Sequence, residues 1–280
     1  MISVVILTLN EADNLPRCLA SVAWSDDVVV LDSGSTDATV EVAQTHGARV
    51  LTRAFDSFAG QRNYAMEQAG FRYPWVLHLD ADEVVTPALH DELQAIASAA
   101  NARFPVYRVA SKIIFMGRWL KHAGMYPAYQ VRFGRSEALR FIDHGHGQRE
   151  VQPPDQVGSL RHPLEHYNFS KGVNDWFARH LRYAEREAGL MLVERGQPLH
   201  LAGLLSTDAT TRRRSLKRLA ARLPLRPWLR FFYAGILRGG FLDGIAGLRY
   251  ARMLAIYQQF IDINLNELLV TQHSQAGTER

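Results

Sequence analysis

The feature that most constrains this chain is a unit repeated through its first eighty residues. A short apolar run of strand length ends in a polar, acid-bearing turn, and apolar residues then recur at helical spacing. Residues 2–9 form a β-branched apolar run, interrupted by Asn10-Glu11-Ala12-Asp13-Asn14, after which Leu15, Leu19 and Val22 recur every three or four positions. Residues 27–31 are a second run, stopping at Asp32-Ser33-Gly34-Ser35-Thr36-Asp37 and leading into a helical stretch through Val40, Val42 and Ala43. His46-Gly47 ends that stretch, residues 48–51 read as a third strand, and a helix runs through Tyr64, Ala65 and Met66. Residues 75–79 read as a buried fourth strand that ends at Asp80-Ala81-Asp82-Glu83. Strands alternating with helices in this order predict an α/β fold, a mostly parallel sheet with helices on both faces.

The pattern changes further on. From 104 to 164 it breaks into short strand-like pieces, such as residues 106–110 and 129–133, and after Ser170 it becomes helical. We expect a catalytic domain over 1–170, a basic helical region over 171–270, and a polar, disordered tail over 271–280. Charge follows the same division. Residues 171–280 carry 17 Lys and Arg against 9 Asp and Glu, and residues 1–170 carry 15 against 19. The basic half therefore calls for an acidic partner. Arg212-Arg213-Arg214 and Lys217-Arg218, with Leu216, Leu219 and Leu223, read as a basic amphipathic helix. Trp228, Phe231, Phe232 and Tyr233 follow it. No window is long and apolar enough to span a bilayer, so the expectation is a region lying on an anionic membrane surface. A basic face packed on the catalytic domain, or on a second copy in a homo-oligomer, is the alternative. Nucleic acid is a poor partner, since the other half is acidic and no aromatic–basic platform appears. The N-terminal apolar run is short and lacks preceding basic residues, which argues for a cytoplasmic protein, peripheral on the inner face of the plasma membrane. The single cysteine, Cys18, falls in an apolar helical pattern and reads as a buried small hydrophobe.

In open α/β sheets ligands bind beyond the carboxyl ends of the strands. Three acidic clusters fall there: Asn10-Glu11, Asp32 with Asp37, and Asp80 with Asp82 and Glu83. Carboxylates crowded together need a cation or hydroxyl groups to satisfy them. Two of them one residue apart at a strand end can hold Mg2+ or Mn2+ through hard oxygen ligands and leave room for a diphosphate.

With these motifs in their order, residues 1–170 resemble the family 2 glycosyltransferases, which have the GT-A fold. The likeness rests on residues 4–11, Asp32-Ser33-Gly34-Ser35-Thr36-Asp37, Gln61-Arg62-Asn63 and Asp80-Ala81-Asp82-Glu83. It implies an inverting, metal-dependent transfer from a nucleotide-sugar donor, a UDP-hexose. By the same resemblance Leu9, Asn10 and Glu11 lie near the nucleoside, and Asp32 receives the base. Arg62 lies near base or phosphates, Asp80 with Ala81 faces the ribose or metal, and Asp82 ligates the metal. A closer resemblance is to lipopolysaccharide core glucosyltransferases and related surface-polysaccharide enzymes. That likeness implies a lipid-linked saccharide acceptor and a His-Glu pair after the acceptor-side strands. Here that stretch reads Asp143-His144-Gly145-His146-Gly147-Gln148-Arg149-Glu150, with Arg149 in place of the histidine.

An inverting transfer needs a carboxylate to take the acceptor's proton. Glu150 falls at the family position and Asp143 is the second candidate, with His144 and His146 able to line the site. His166 resembles a position that supplies a further metal or phosphate contact. A sugar-nucleotide pyrophosphorylase is disfavoured, because no glycine-rich phosphate loop follows the first strand. A catalytically inactive scaffold that keeps the fold is the remaining alternative; the intact Asp32, Asp80 and Asp82 speak against it.

Overall fold

The computed structural model describes residues 1–144, 147–198, 201–220, 222–223 and 225–278. Of the residues named above, Gly145 and His146 lie outside this set, as do the side chains of His144, Arg213, Arg214 and Lys217. The chain divides into two compact units. The first comprises Met1–Lys121 and Met125–Ser170, the second His122–Gly124 and Lys171–Arg280.

In the first unit, strands β1 (Ser3–Thr8), β2 (Val28–Asp32), β3 (Arg49–Thr52) and β4 (Trp75–Asp80) alternate with helices α1 (Leu15–Ser21), α2 (Thr39–Thr45) and α3 (Phe58–Gln68). These four strands pair in parallel in the order β3-β2-β1-β4. All four carboxyl ends therefore lie along one edge of the sheet. Alternate residues of β1 feed two cores. Val4 and Ile6 pack with Leu15, Cys18 and Leu19 of α1, whereas Val5 packs with Ala59 and Ala65 of α3. A strand apolar on both faces is what a helix-covered parallel sheet demands. Cys18 is fully buried, as a small hydrophobe.

Beyond β4 the sheet departs from the mostly parallel expectation. A short strand β5 (Glu83–Val84) and helix α4 (Pro87–Ser98) lead into β6 (Val106–Phe115), β7 (Arg118–Trp119) and β8 (Tyr129–Arg135). Strand β8 runs antiparallel to both β4 and β6. The remaining strands are β9 (Phe141–His144), β10 (Gly147–Glu150), β11 (Val157–Ser159) and β12 (Leu164–His166). The main sheet order is β3-β2-β1-β4-β8-β6-β12-β5, and β9-β10 forms a separate hairpin. The sheet is mixed because a short reversing connection, unlike a helical crossover, can only return a strand antiparallel.

The second unit is helical: α5 (Gly172–Gly196), α6 (Ala209–Ala220), α7 (Arg226–Phe232) and α8 (Gly244–Thr278). Ala184 and Ala188 of α5 bury against Ile261 and Leu265 of α8. Helix α8 runs through most of the segment expected to be a disordered tail. Among the described residues no helix is long and apolar enough to cross a membrane.

Candidate active site at the strand ends

The first two loops of the sheet edge are stitched together. Asp32, closing β2, is buried and accepts four hydrogen bonds: from Thr8 Oγ1 at 2.9 Å, Ser35 Oγ at 2.5 Å, and the Gly34 and Ser35 amides at 2.9 and 2.7 Å. Its carboxylate thus holds the turn, and a nucleotide base reaches it only by displacing one of these donors. Asn10 sits at φ +55, a region that asparagine tolerates better than most residues. That backbone aims its side-chain oxygen at the Thr36 amide, 2.8 Å away, while its own amide donates to Ser35 Oγ. Asp37 accepts from the Ala12 amide and caps Thr39. Leu9, between them, is exposed.

Three consecutive residues of α3 tie three different loops to this edge. Gln61 donates to Ser33 Oγ, Arg62 to Asp80, and Asn63 exchanges two hydrogen bonds with the backbone of Phe141 at 2.9 and 3.0 Å. Successive helical positions point about 100° apart, so one short motif reaches the β2 loop, the β4 end and the β9-β10 hairpin.

At the end of β4 lies a buried charge cluster. Arg62 Nη2 is 2.6 Å from Asp80 Oδ1. Arg132, on β8, places Nη2 at 2.5 Å from Asp80 Oδ2 and 2.9 Å from Glu83 Oε1. Glu83 in turn accepts from the Asp80 amide at 2.9 Å. Both arginines are almost wholly buried, whereas the Asp80 side chain keeps about a third of its surface exposed. Burial works against the charge on Asp80, but the guanidiniums of Arg132 and Arg62 outweigh it and hold the carboxyl far below its usual range. Burial pushes Glu83 up, against the pull of Arg132. Burial and the neighbouring Arg132 bring Arg62 down to about 10. Burial also opposes the charge on Arg132, but the Asp80 and Glu83 carboxylates overcome it and raise Arg132. Nε and Nη1 of both arginines are buried and have no acceptor among the described residues. Asp80, expected to face a ribose or metal, is therefore engaged on both oxygens by arginine.

Asp82 faces a different partner. Its carboxylate lies 3.3 Å from His166 Nε2, and the Tyr167 amide donates to its backbone carbonyl at 2.8 Å. Strand β12 delivers His166 by pairing with Glu83 on one side and Ile113 on the other. Partial burial lowers the His166 imidazole, but Asp82 more than reverses this and lifts it to about 9. Neighbouring ligands of one small divalent ion, with bonds of about 2.1 Å at right angles, sit about 3 Å apart. The 3.3 Å contact is itself an ion pair, so a divalent ion would ligate both groups only after displacing the imidazole proton; an aspartate oxygen suits Mg2+ or Mn2+. Among the described residues no group of three or more such side chains is arranged to hold a metal, so any ion here takes its other ligands from a bound molecule or water.

The hairpin carries the two candidate bases. Glu150 stands opposite Phe141, whose ring lies 5.9 Å from the Arg62 guanidinium, and is half-buried. Asp143 stands opposite Gln148 and is exposed. Arg132 is the residue that sequence reasoning missed. Its signal was a lone charge inside the apolar run Val131-Arg132-Phe133.

The model for glycosyl transferase family 2 matches residues 3–149, more than half of the chain. The chain belongs to this family. Its relatives include an uncharacterized glycosyltransferase of Rickettsia prowazekii, 36% identical over 118 residues, covering 41% of this chain and 40% of that one. The lipopolysaccharide core biosynthesis glycosyltransferase LpsC of Rhizobium meliloti is 30% identical over 173 residues, covering 57% of this chain and 60% of the relative. The chain thus spans about two-fifths to three-fifths of the length of these relatives. Among solved structures, glucosyl-3-phosphoglycerate synthase from Mycobacterium tuberculosis resembles it with a TM-score of 0.47 at 16% identity, over 68% of this chain and 79% of that one. A likeness at that level carries no functional argument.

Proposed function

We propose that the chain is an inverting glycosyltransferase of surface-polysaccharide or lipopolysaccharide biosynthesis, moving a hexose from a UDP-sugar to a lipid-linked saccharide. The observation that carries this reading is the strand end at Asp80-Ala81-Asp82. There a carboxylate pinned by two buried arginines stands beside the Asp82–His166 ion pair, two groups of the kind that ligate a divalent ion once the imidazole proton is lost. Asp82 and His166 would hold Mg2+ or Mn2+ in this reading. When bound, the ion neutralises charge that develops on the leaving diphosphate. Arg62 and Arg132 keep Asp80 ionised and the end of β4 fixed. The Asn10 and Ser35 loops shape the nucleoside side. Glu150 accepts the proton of the acceptor hydroxyl as its oxygen bonds to the anomeric carbon. The bond from that carbon to the diphosphate oxygen breaks, and its electron pair leaves with UDP. The basic C-terminal region meets the anionic membrane surface where the acceptor is presented.

A thermal-shift screen of UDP- and GDP-sugars identifies the donor, because a bound ligand stabilises the fold by mass action. Transfer is then assayed with wild type and Glu150→Gln. The variant should bind donor like wild type and transfer about 10²–10⁴-fold more slowly. A crippled Asp143→Asn beside a fully active Glu150→Gln would exchange the two roles. No stabilisation by any nucleotide-sugar would remove the proposed function itself.

A further inference from the structure

In the second unit, helix α7 continues into a π-helical turn (Tyr233–Leu237) and a 3-10 turn (Gly240–Asp243) before α8 begins. The side chains along this helical bend are sorted against the usual rule. Ala234, Ala246 and Ala251 are buried, together with Gly235, Gly240 and Gly247. The backbones touch there: a Cβ on Gly240 would overlap the Ala234 carbonyl, and one on Gly247 the Gly240 carbonyl. The large apolar residues are outside. Leu237 is 79% exposed, Ile245 69%, Trp228 63% and Leu242 60%, with Phe232 and Phe241 about half exposed. A helical bend built for water would put these residues inward and alanines outward. Packing small residues backbone to backbone and turning large ones outward is how helices meet in an apolar solvent.

The charges around the bend have one sign. From 209 to 261 the sequence carries eleven Lys and Arg and one acidic residue, Asp243. Asp243 is itself buried, accepting hydrogen bonds from the His122 and Ala123 amides at 2.9 and 2.8 Å and contacting His122 Nδ1 at 2.8 Å. Arg238, Arg249 and Arg252 are exposed beside the apolar residues. Exposed large apolar residues clustered along one short segment mark an interaction surface, and a cationic rim without exposed carboxylates complements anionic headgroups.

We propose that the bend over residues 225–248 inserts its apolar side chains into the acyl boundary of an anionic bilayer, with its arginines at phosphate depth. The inference takes its partner from the membrane reading above and goes further. That reading requires only that the basic region and the aromatic residues after it lie on the surface, whereas this one requires the apolar side chains of the bend to enter the acyl boundary.

Full-length protein is sedimented with phosphatidylglycerol–phosphatidylethanolamine vesicles and with phosphatidylcholine vesicles, at low and high salt. Lipids brominated on the acyl chain report tryptophan depth. Wild type should bind the anionic vesicles, keep part of that binding at high salt, and show bromine quenching that Trp228→Leu removes. Leu237→Ser with Phe241→Ser and Leu242→Ser should lower partitioning at least about 100-fold while leaving UDP binding intact. Binding of that triple variant at wild-type strength, or no bromine quenching, overturns insertion. If only glutamine substitution of Arg212, Arg213, Arg214, Lys217 and Arg218 abolishes binding, surface attraction stands and insertion fails. A wild-type dimer by light scattering that the triple variant makes monomeric assigns the patch to a second copy instead. UDP binding, measured alongside, reports on the transferase reading separately.

Discussion

The end of β4 and the bend at the start of α8 break opposite rules of burial. At the first, two arginines and a glutamate are buried where apolar residues would pack at lower cost. At the second, a tryptophan and several leucines stand exposed where polar residues would cost nothing. Neither arrangement is what folding alone favours, since a buried charge loses its hydration and an exposed apolar side chain forgoes burial. The difference lies in how each deviation is balanced. The charges are compensated by mutual pairing; the buried Nε and Nη1 atoms of the arginines have no acceptor among the described residues. The apolar residues stand exposed with no covering side chain among the described residues, and the bilayer proposed above balances them externally. One region is therefore expected to respond to mutation in stability, and the other in association.

The largest effect should come from Arg132. Removing it leaves Glu83 without its cation and Asp80 with one partner in place of two. Arg132→Met should destabilise the fold by about 3–5 kcal/mol, the usual cost of stranding a buried charge. Urea denaturation measures it. A loss under about 1 kcal/mol would mean that water already reaches the cluster.

A second buried carboxylate sharpens the contrast. Asp27, at the start of β2, has a fully buried side chain. It accepts from Ser3 Oγ at 2.6 Å, the Arg72 amide at 2.7 Å and Arg49 at 2.8 Å. Burial pushes its carboxyl up, but these hydrogen bonds and Arg49 prevail and lower it. A carboxyl lowered by folding stabilises the native state above its unfolded value of about 3.9, and that contribution is lost as pH falls through the folded value. Asp27→Asn should cost about 1.5–3 kcal/mol at pH 7. The gap between variant and wild type should close as the pH drops below about 4. A gap independent of pH would mean the aspartate's charge contributes nothing. The smallest effect belongs to the bend. Leu237→Ser should alter stability by no more than about 0.5 kcal/mol, and a larger loss would show that the leucine packs inside the protein.

The sequence carried some of this more clearly than the rest. Strands β1, β2 and β4 announced themselves because a strand buried on both faces is a continuous apolar run, as residues 4–7 and 28–31 are. Asp82 and His166 were both singled out, and β12 brings them together. The pairing of β8 between β4 and β6 was not legible, since strand order depends on contacts that no local period encodes. Arg132 was hidden for the same reason: its partners Asp80 and Glu83 lie about fifty residues away, on other strands. The motif around Asp32 marks it as a candidate receptor for the base but does not reveal that its carboxylate also holds the turn through four hydrogen bonds. The tail was read as disordered from its polarity, yet α8 continues along it to Thr278.

The most direct test of the site is calorimetry of UDP binding to wild type and Asp82→Asn, with Mn2+ and with EDTA. Wild type should bind UDP in Mn2+ and lose at least about tenfold in affinity in EDTA, a change of about 1.4 kcal/mol. Asp82→Asn should bind weakly in both and unfold at the wild-type temperature without ligand. Equal binding of UDP by both proteins, with or without the ion, would contradict the assignment of Asp82 and His166 to a metal–diphosphate site.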